Sequence, residues 1–384
     1  MTPAARLSAA IEILDRILAG GAAEQALTSW ARSNRFAGSG DRLVIRDHVF
    51  DALRCKRSFA HIGGSETGRG LVLGMLRTTG SEIGALLTGQ GHAPAPLTQA
   101  EETYHPAPMP DPVRLDCPDW LWPMMLDSLG AETAPILSRM QSRAPVFVRV
   151  NLRHKQAMQA VEILRREGIM AQPHPLAPTA LEVTEGARKL RQSRAFADGL
   201  VELQDAASQA VIAVLPDLQG LRVLDYCAGG GGKALALAAR GAQVTAYDAD
   251  PARMQDTGPR AARAGVRIAL TDRPEGQFDL VLADVPCSGS GSWRRAPQGK
   301  WLLDADGLAR LLSIQSEILD RAACLVRPQG WLAYVTCSLL QCENDHQITG
   351  FLARNAAFQL VQRLRLTPLD GGDGFFLSLI KRNE

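Results

Sequence analysis

Apolar positions in the first part of the chain recur at helical spacing. Leu7, Ile11, Leu14 and Leu18 fall at i, i+4, i+7 and i+11, one face of an amphipathic helix closed by Gly20-Gly21. Further helical stretches are expected to about residue 88. From Asp41 to Arg57, Leu43, Val44, Val49 and Phe50 interleave with Arg42, Arg46, Arg54, Lys56 and Arg57, which reads as a solvated basic helix face or as a surface for phosphates. Residues 89–118 hold seven prolines and read as a linker. After Trp120 and Trp122 a helical stretch leads into the β-rich run Val146 to Asn151. An amphipathic helix carrying Val161, Ile163 and Leu164 follows, then extended segments near 169–172 and 180–184, a small βαββ-like unit. From residue 199 the pattern changes to strands alternating with helices. LRVLDYC, QVTAYD, FDLVLADV and GWLAYVTCS read as buried parallel strands, with crossover helices at 232–240, 252–264 and 307–326, so the fold class is α/β with a doubly wound sheet. The expected domains are 1–90, an all-α region; 91–118, the linker; 119–198, the small α+β module; and 199–384, the α/β domain.

Composition bounds this picture. With 384 residues the chain is long enough for two or three domains, and 46% hydrophobic with 21% charged residues is globular usage. Glu12 and Asp15 interrupt the first apolar stretch, so no signal peptide or membrane anchor is expected and the chain reads as cytoplasmic. Seven scattered cysteines without a CxxC pair argue for reduced thiols, against disulfides and against a metal site. A formal net charge of +2 names no partner, but its distribution is informative. Residues 143–198 hold ten Lys or Arg against five acidic residues, among them Arg149, Arg153, Lys155, Arg165, Arg166, Arg188, Lys189, Arg191 and Arg194, which suits the cradling of RNA. No aromatic signature for base stacking accompanies them.

Four segments carry chemistry. The turn Asp225-Tyr226-Cys227-Ala228-Gly229-Gly230-Gly231-Gly232-Lys233 follows a strand and opens a helix, where glycines let the backbone approach a ligand. The next strand ends at Tyr247-Asp248, where a carboxylate can accept both hydroxyls of a ribose. These two features leave a dinucleotide and S-adenosylmethionine equally open. The downstream strand ends decide. Asp284 and Cys287 in ADVPCSGSG, and Cys337 in YVTCS, lie at the carboxyl edge of the sheet. Carbon 5 of cytosine is a poor nucleophile, and adding a thiolate to carbon 6 activates it; a second group must later remove the proton from carbon 5. Two thiols suit both needs. Asp284, facing a cytosine, would hydrogen-bond its exocyclic amine and nitrogen 3. Cys337, poised before a helix, has a reason for a lowered pKa. Cys324 and Cys342 read as structural, Glu343 to Asp345 as the start of the next helix, and Arg294-Arg295 as a grip for the phosphates of a flipped base or as an ordinary loop.

In order along the chain, APVFVRVN, QDAASQ, DYCAGGGGK, DADPARM, DVPCSGSGSWRRAP, KW, TCS and DGFF resemble the RNA cytosine-5 methyltransferases of the bacterial ribosomal-RNA and NOP2/Sun type. The first 90 residues look like their helical NusB-like RNA-binding extension. The resemblance implies a Rossmann-like methyltransferase domain behind a ferredoxin- or RRM-like module. It implies S-adenosylmethionine bound by Cys227, Ala228, Gly229, Gly230, Gly231, Gly232, Lys233, Asp248, Arg253, Asp272 and Asp284. It also implies that Cys337 forms the bond to carbon 6 and Cys287 assists release, the roles that a DNA-type enzyme would swap. The expected substrate is a cytosine in RNA, ribosomal RNA foremost, with no metal and no membrane, in a monomer; the alternatives are a tRNA cytosine-5 methyltransferase and an idle ribosome-assembly factor. This sequence departs from the pattern at Gly230, where the family turn has proline, at Ala234, where it has threonine, and at Gln298, where it has an acidic residue.

Overall fold

The computed structural model describes residues 1–154 and 157–384; Lys155 lies outside them. The chain divides into two compact units, one of residues 1–126, 130–143 and 293–302, the other of 127–129, 144–292 and 303–384.

The first unit is helical. Its helices Pro3–Leu18, Ala23–Ser33, Ser39–Arg54, Lys56–Gly63 and Gly68–Thr78 enclose a core that includes Leu7, Ile13, Leu14, Trp30, Ile45, Val49, Leu53, Leu71 and Leu73. Thr2 caps the first helix by accepting from the Ala5 amide. Leu7 and Leu14 are buried as their spacing predicts, and Ile11 and Leu18 pack against the same core. The basic face of 41–57 is largely spent on internal partners: Arg46 pairs with Glu24, Lys56 with Glu66, Arg57 with Asp119, and Arg54 is buried.

The proline-rich stretch differs from the expected linker. It packs within the helical unit because its few charged residues find partners there. Arg69 holds Glu101 through two hydrogen bonds of 2.7 and 2.9 Å, which with the Thr98 cap keep that carboxyl near a pKa of about 2. Asp116 is fully buried and accepts from the amides of Arg57 and Ser58, the Ser58 hydroxyl and Gln141. The helix Thr133–Met140 also belongs to this unit.

The second unit holds two sheets. The smaller runs β1 (Val146–Val150), a helix (Ala157–Arg166), β2 (Met170–Pro173), β3 (Ala180–Glu185), two short helical turns and β4 (Val201–Leu203), in the antiparallel order β2-β3-β1-β4. This is the ferredoxin-like βαββαβ arrangement with its second helix reduced to turns. β4 pairs with β1, which moves the end of the module past residue 198. Arg149, expected on the basic surface, is only 5% exposed, since both faces of the central strand β1 are covered and Phe147 to Val150 are all buried.

The larger sheet contains β5 (Arg222–Asp225), β6 (Gln243–Ala246), β7 (Ile268–Leu270), β8 (Phe278–Asp284), β9 (Val326–Thr336), β10 (Phe358–Leu366) and β11 (Phe375–Arg382), ordered β10-β11-β9-β8-β5-β6-β7. β5 to β9 are parallel, and β11 runs antiparallel between β9 and β10. Strand order reverses on either side of β5, so the carboxyl ends of β5, β6 and β8 meet at a switch point, where open α/β sheets bind ligands.

Candidate active site

The glycine turn leaves β5 at that switch point. Gly229 and Gly231 have φ of +50° and +78°, a region costly for other residues, and a Cβ on Gly231 would stand 2.8 Å from the Thr257 side chain. Gly230, in the place of the family proline, does not need positive φ, so its neighbours hold the turn. Asp248 follows β6 and is buried; its carboxylate accepts from the Gly229 amide at 2.9 Å and the Asp250 amide at 3.0 Å, with Arg253 at 3.1 Å. Turn and ribose-binding candidate are thus one hydrogen-bonded unit. Asp272 stands apart, exposed on the loop after β7 and bonded to none of these groups among the described residues.

Asp225, the first residue of the glycine turn, has no role of its own in the sequence pattern. It is 1% exposed, and neither carboxylate oxygen has a hydrogen-bond partner of normal geometry. Burial, with the charge of Asp284 next, pushes its pKa up to about 7. A buried carboxylate left this way at the mouth of a glycine turn fits a cationic ligand, and S-adenosylmethionine carries a sulfonium and an ammonium. Polar orphans with no separate signature in the sequence emerge only when the strand ends are brought together.

Lys233 opens the helix Gly232–Ala239 and turns back to Asp284 at the end of β8, Nζ to Oδ2 2.6 Å, beneath the ring of Phe375 from the DGFF segment at 5.1 Å. Cys287 and Cys337 meet across neighbouring strand ends with their sulfurs 3.5 Å apart. The Cys337 thiol is held below the usual thiol value, first by the hydrogen bond from Cys287 and further by the Lys233 charge and a hydrogen bond from Ser292, against burial and Asp284. Cys287 is correspondingly raised, first by Cys337 and then by burial. Of the pair, Cys337 is therefore the thiol that ionises first. The cause differs from the expected one: the next helix begins only at Asp345, so its dipole does not explain the shift. Elsewhere burial pushes Cys55 and Cys117 to about 12 and Cys342 to about 11.

The backbone around the thiols is drawn tight. The Gly291 amide donates to the Cys337 carbonyl at 2.9 Å, and the Gly374 amide donates to the Gly291 carbonyl at 2.9 Å. Past Ser292 the chain enters the helical unit, where Arg294 is fully buried and its carbonyl accepts from Arg54 at 2.7 Å. Arg294 is therefore no surface grip for phosphate; Arg295 is exposed. Gln298 replaces the family acid as an anchor, accepting from the Ala23 amide at 2.8 Å and donating to the Gly21 carbonyl at 2.7 Å. Glu343, expected among the residues that start the next helix, is fully buried.

A seven-stranded sheet with its antiparallel strand next to the edge, a glycine turn tied to an acidic β6 end, and an aspartate with two thiols at the following strand ends define a Rossmann-like S-adenosylmethionine-dependent methyltransferase. Residues 212–378 match the profile of the family described as 16S rRNA methyltransferase RsmB/F, and residues 117–188 that of the Methyltr_RsmF/B-like, ferredoxin-like domain. Ribosomal RNA small subunit methyltransferase B of Vibrio cholerae is 33% identical over 307 residues, 74% of this chain and 68% of that protein. Against other relatives of that name the match spans 66% of their length. Among solved structures, one described as PH0851 superposes over 100% of this chain and 99% of its own with a TM-score of 0.77 at 23% identity. NSun6 from Pyrococcus horikoshii with SFG covers 70% of this chain and 98% of its own at TM-score 0.62 and 16% identity, which like the first supports the fold. The chain belongs to the RsmB/F family of rRNA methyltransferases, and is an RNA cytosine-5 methyltransferase that uses S-adenosylmethionine. Among the described residues no helix is long and apolar enough to cross a membrane.

Proposed function

We propose that this chain methylates carbon 5 of a cytosine in small-subunit ribosomal RNA through a covalent bond between Cys337 and carbon 6. The observation that carries this reading is the 3.5 Å contact between two sulfurs of opposite pKa shift. S-Adenosylmethionine supplies an electrophilic methyl group when bound, and Asp225, Asp248, Arg253 and the 227–233 turn are the residues that would hold it. Asp272 has less support, standing exposed beyond β7.

Cys337, the thiol of the pair that ionises first, adds as the thiolate to carbon 6 and pushes an electron pair toward carbon 5. Asp284, oriented by its hydrogen bond from Lys233, would accept from the exocyclic amine of the base. Once Cys337 is a thioether it no longer accepts from Cys287 as an anion, and the largest influence raising the Cys287 pKa is lost. Cys287 then releases its own proton to solvent more readily and is left as the thiolate that can act as a base. It removes the proton from carbon 5, the electron pair re-forms the double bond, and Cys337 leaves as the thiolate. Binding of the RNA would draw on the exposed basic residues of the small module, including Lys189, Arg191 and Arg194.

With ribosomal RNA and methyl donor, Cys337→Ala is expected to abolish both methylation and any protein–RNA adduct. Cys287→Ala is expected to form an adduct that survives denaturant on a gel. The opposite pattern, an adduct lost in Cys287→Ala and kept in Cys337→Ala, reverses the assignment. Deep sequencing of bisulfite-treated RNA from a deletion strain then locates the cytosine; sites confined to tRNA would overturn the ribosomal target.

A further inference from the structure

Glu343 forms the junction between the two cysteine loops. Its Oε1 accepts from the Ser288 amide at 2.7 Å and from Gln315 Nε2 at 3.0 Å. Its Oε2 accepts from the hydroxyls of Ser288, at 2.5 Å, and of Ser338. Ser288 directly follows Cys287, and Ser338 directly follows Cys337. Gln315 also donates to the Pro286 carbonyl at 3.0 Å, so both neighbours of Cys287 are held through one carboxylate. The Glu343 carbonyl in turn accepts from the Tyr334 hydroxyl at 2.6 Å, fixing the clamp to β9.

A carboxylate with no exposure and only neutral donors around it is costly to bury, and a neutral side chain would serve a purely structural turn at lower cost. Its charge has a directional effect. The ionisable groups around the thiols are Lys233 on the helix after the glycine turn, Asp284 at the end of β8, Asp225 at the end of β5, Tyr334 on β9, and Cys342 and Glu343 on the turn behind them. After Cys337 itself and burial, Glu343 adds to what raises Cys287, whereas after Cys287 the Lys233 charge adds to what lowers Cys337. Geometry and charge therefore act together.

We infer that Glu343 is a positioning residue that sets the separation of the two thiols. This rests on the assignment of Cys337 as nucleophile and Cys287 as its partner. Replacing Glu343 by alanine frees both loops; glutamine keeps the shape and one acceptor oxygen while removing the charge.

The test pairs turnover with a readout independent of it. Diamide oxidation of the full chain, followed by mass spectrometry, measures how readily Cys287 and Cys337 join as a disulfide. Glu343→Ala is expected to slow that step and to lower kcat by about 10- to 100-fold, with KM for RNA little changed, because reacting groups misplaced by an ångström lose rate on this scale. Glu343→Gln is expected to recover most of the disulfide rate yet to shift the pH at which Cys287 becomes reactive downward. If Glu343→Ala does not fold, Ser288→Ala and Ser338→Ala each remove one arm and are expected to slow the disulfide step in the same direction. Wild-type disulfide rates and kcat in all of these variants, with Cys337→Ala inactive, overturn the clamp and leave the catalytic assignment standing. Activity retained in Cys337→Ala overturns the catalytic assignment itself.

Discussion

At the level of single residues, proximity does more than composition to decide which thiol reacts. Seven cysteines are chemically alike until folding places Cys287 and Cys337 in contact and Lys233 near one of them. A lowered folded-state pKa means that the Cys337 thiolate persists to lower pH than an ordinary thiol near 8.5 permits. Alkylation of Cys337 by iodoacetamide, followed by peptide mass mapping, is therefore expected to rise with pH through a midpoint below that of a reference thiol. The Cys287→Ala substitution removes the foremost cause of the lowering, so the midpoint should move upward. An unmoved midpoint would place the cause in Lys233 or Ser292 instead. The two cysteines could be found in the sequence because each closes a hydrophobic strand with a small polar run. Asp225 and Glu343 could not. Each is an ordinary acidic residue beside an element boundary, and only the absence or identity of its buried partners marks it.

Among elements, β5, β6, β8 and β9 could be read from their apolar runs, while β7, β10 and β11 could not. β7 has three residues at the sheet edge, and β10 exposes most of its side chains, so neither carries the continuous hydrophobic stretch of a buried strand. β11 is buried and matters most for the site, since it delivers Gly374 and Phe375 to the strand ends of β8 and β9. At that junction two backbones touch. A Cβ on Gly291 would lie 2.2 Å from the Gly374 carbonyl oxygen. Gly291→Ala must part the two segments, and is expected to cost about 1–3 kcal/mol in a urea titration. It should also lower methylation more than donor binding, because the Gly291 amide holds the Cys337 carbonyl. Equal losses in both measurements would mean that the whole sheet edge has shifted. The proline-rich segment misleads for a different reason: proline count reports on backbone donors, whereas its docking depends on Glu101 and Asp116, two carboxylates among many.

For the whole molecule, charge is a matter of distribution. A net charge of +2 predicts no polyanion partner, yet Lys189, Arg191 and Arg194 are exposed on the turns before β4. Replacing these three by glutamine is expected to raise KM for ribosomal RNA and leave kcat at saturation and donor binding near wild type. The slope of log affinity against log salt should fall by about 3, close to one unit for each lost phosphate contact. An unchanged slope would remove the module from the RNA path.

The segment from Trp293 to Leu302 belongs to the helical unit although it lies in the middle of the methyltransferase sequence. Trp293, Arg294 and Lys300 are buried there, and the Trp301 indole donates to the Leu53 carbonyl at 2.7 Å. The amino-terminal helices are thus a receptacle for a strip of chain made two hundred residues later on the ribosome. A nascent polypeptide must keep that receptacle open until the strip emerges, and a gene shortened to its catalytic half would leave a tryptophan and two cations with no interior to occupy.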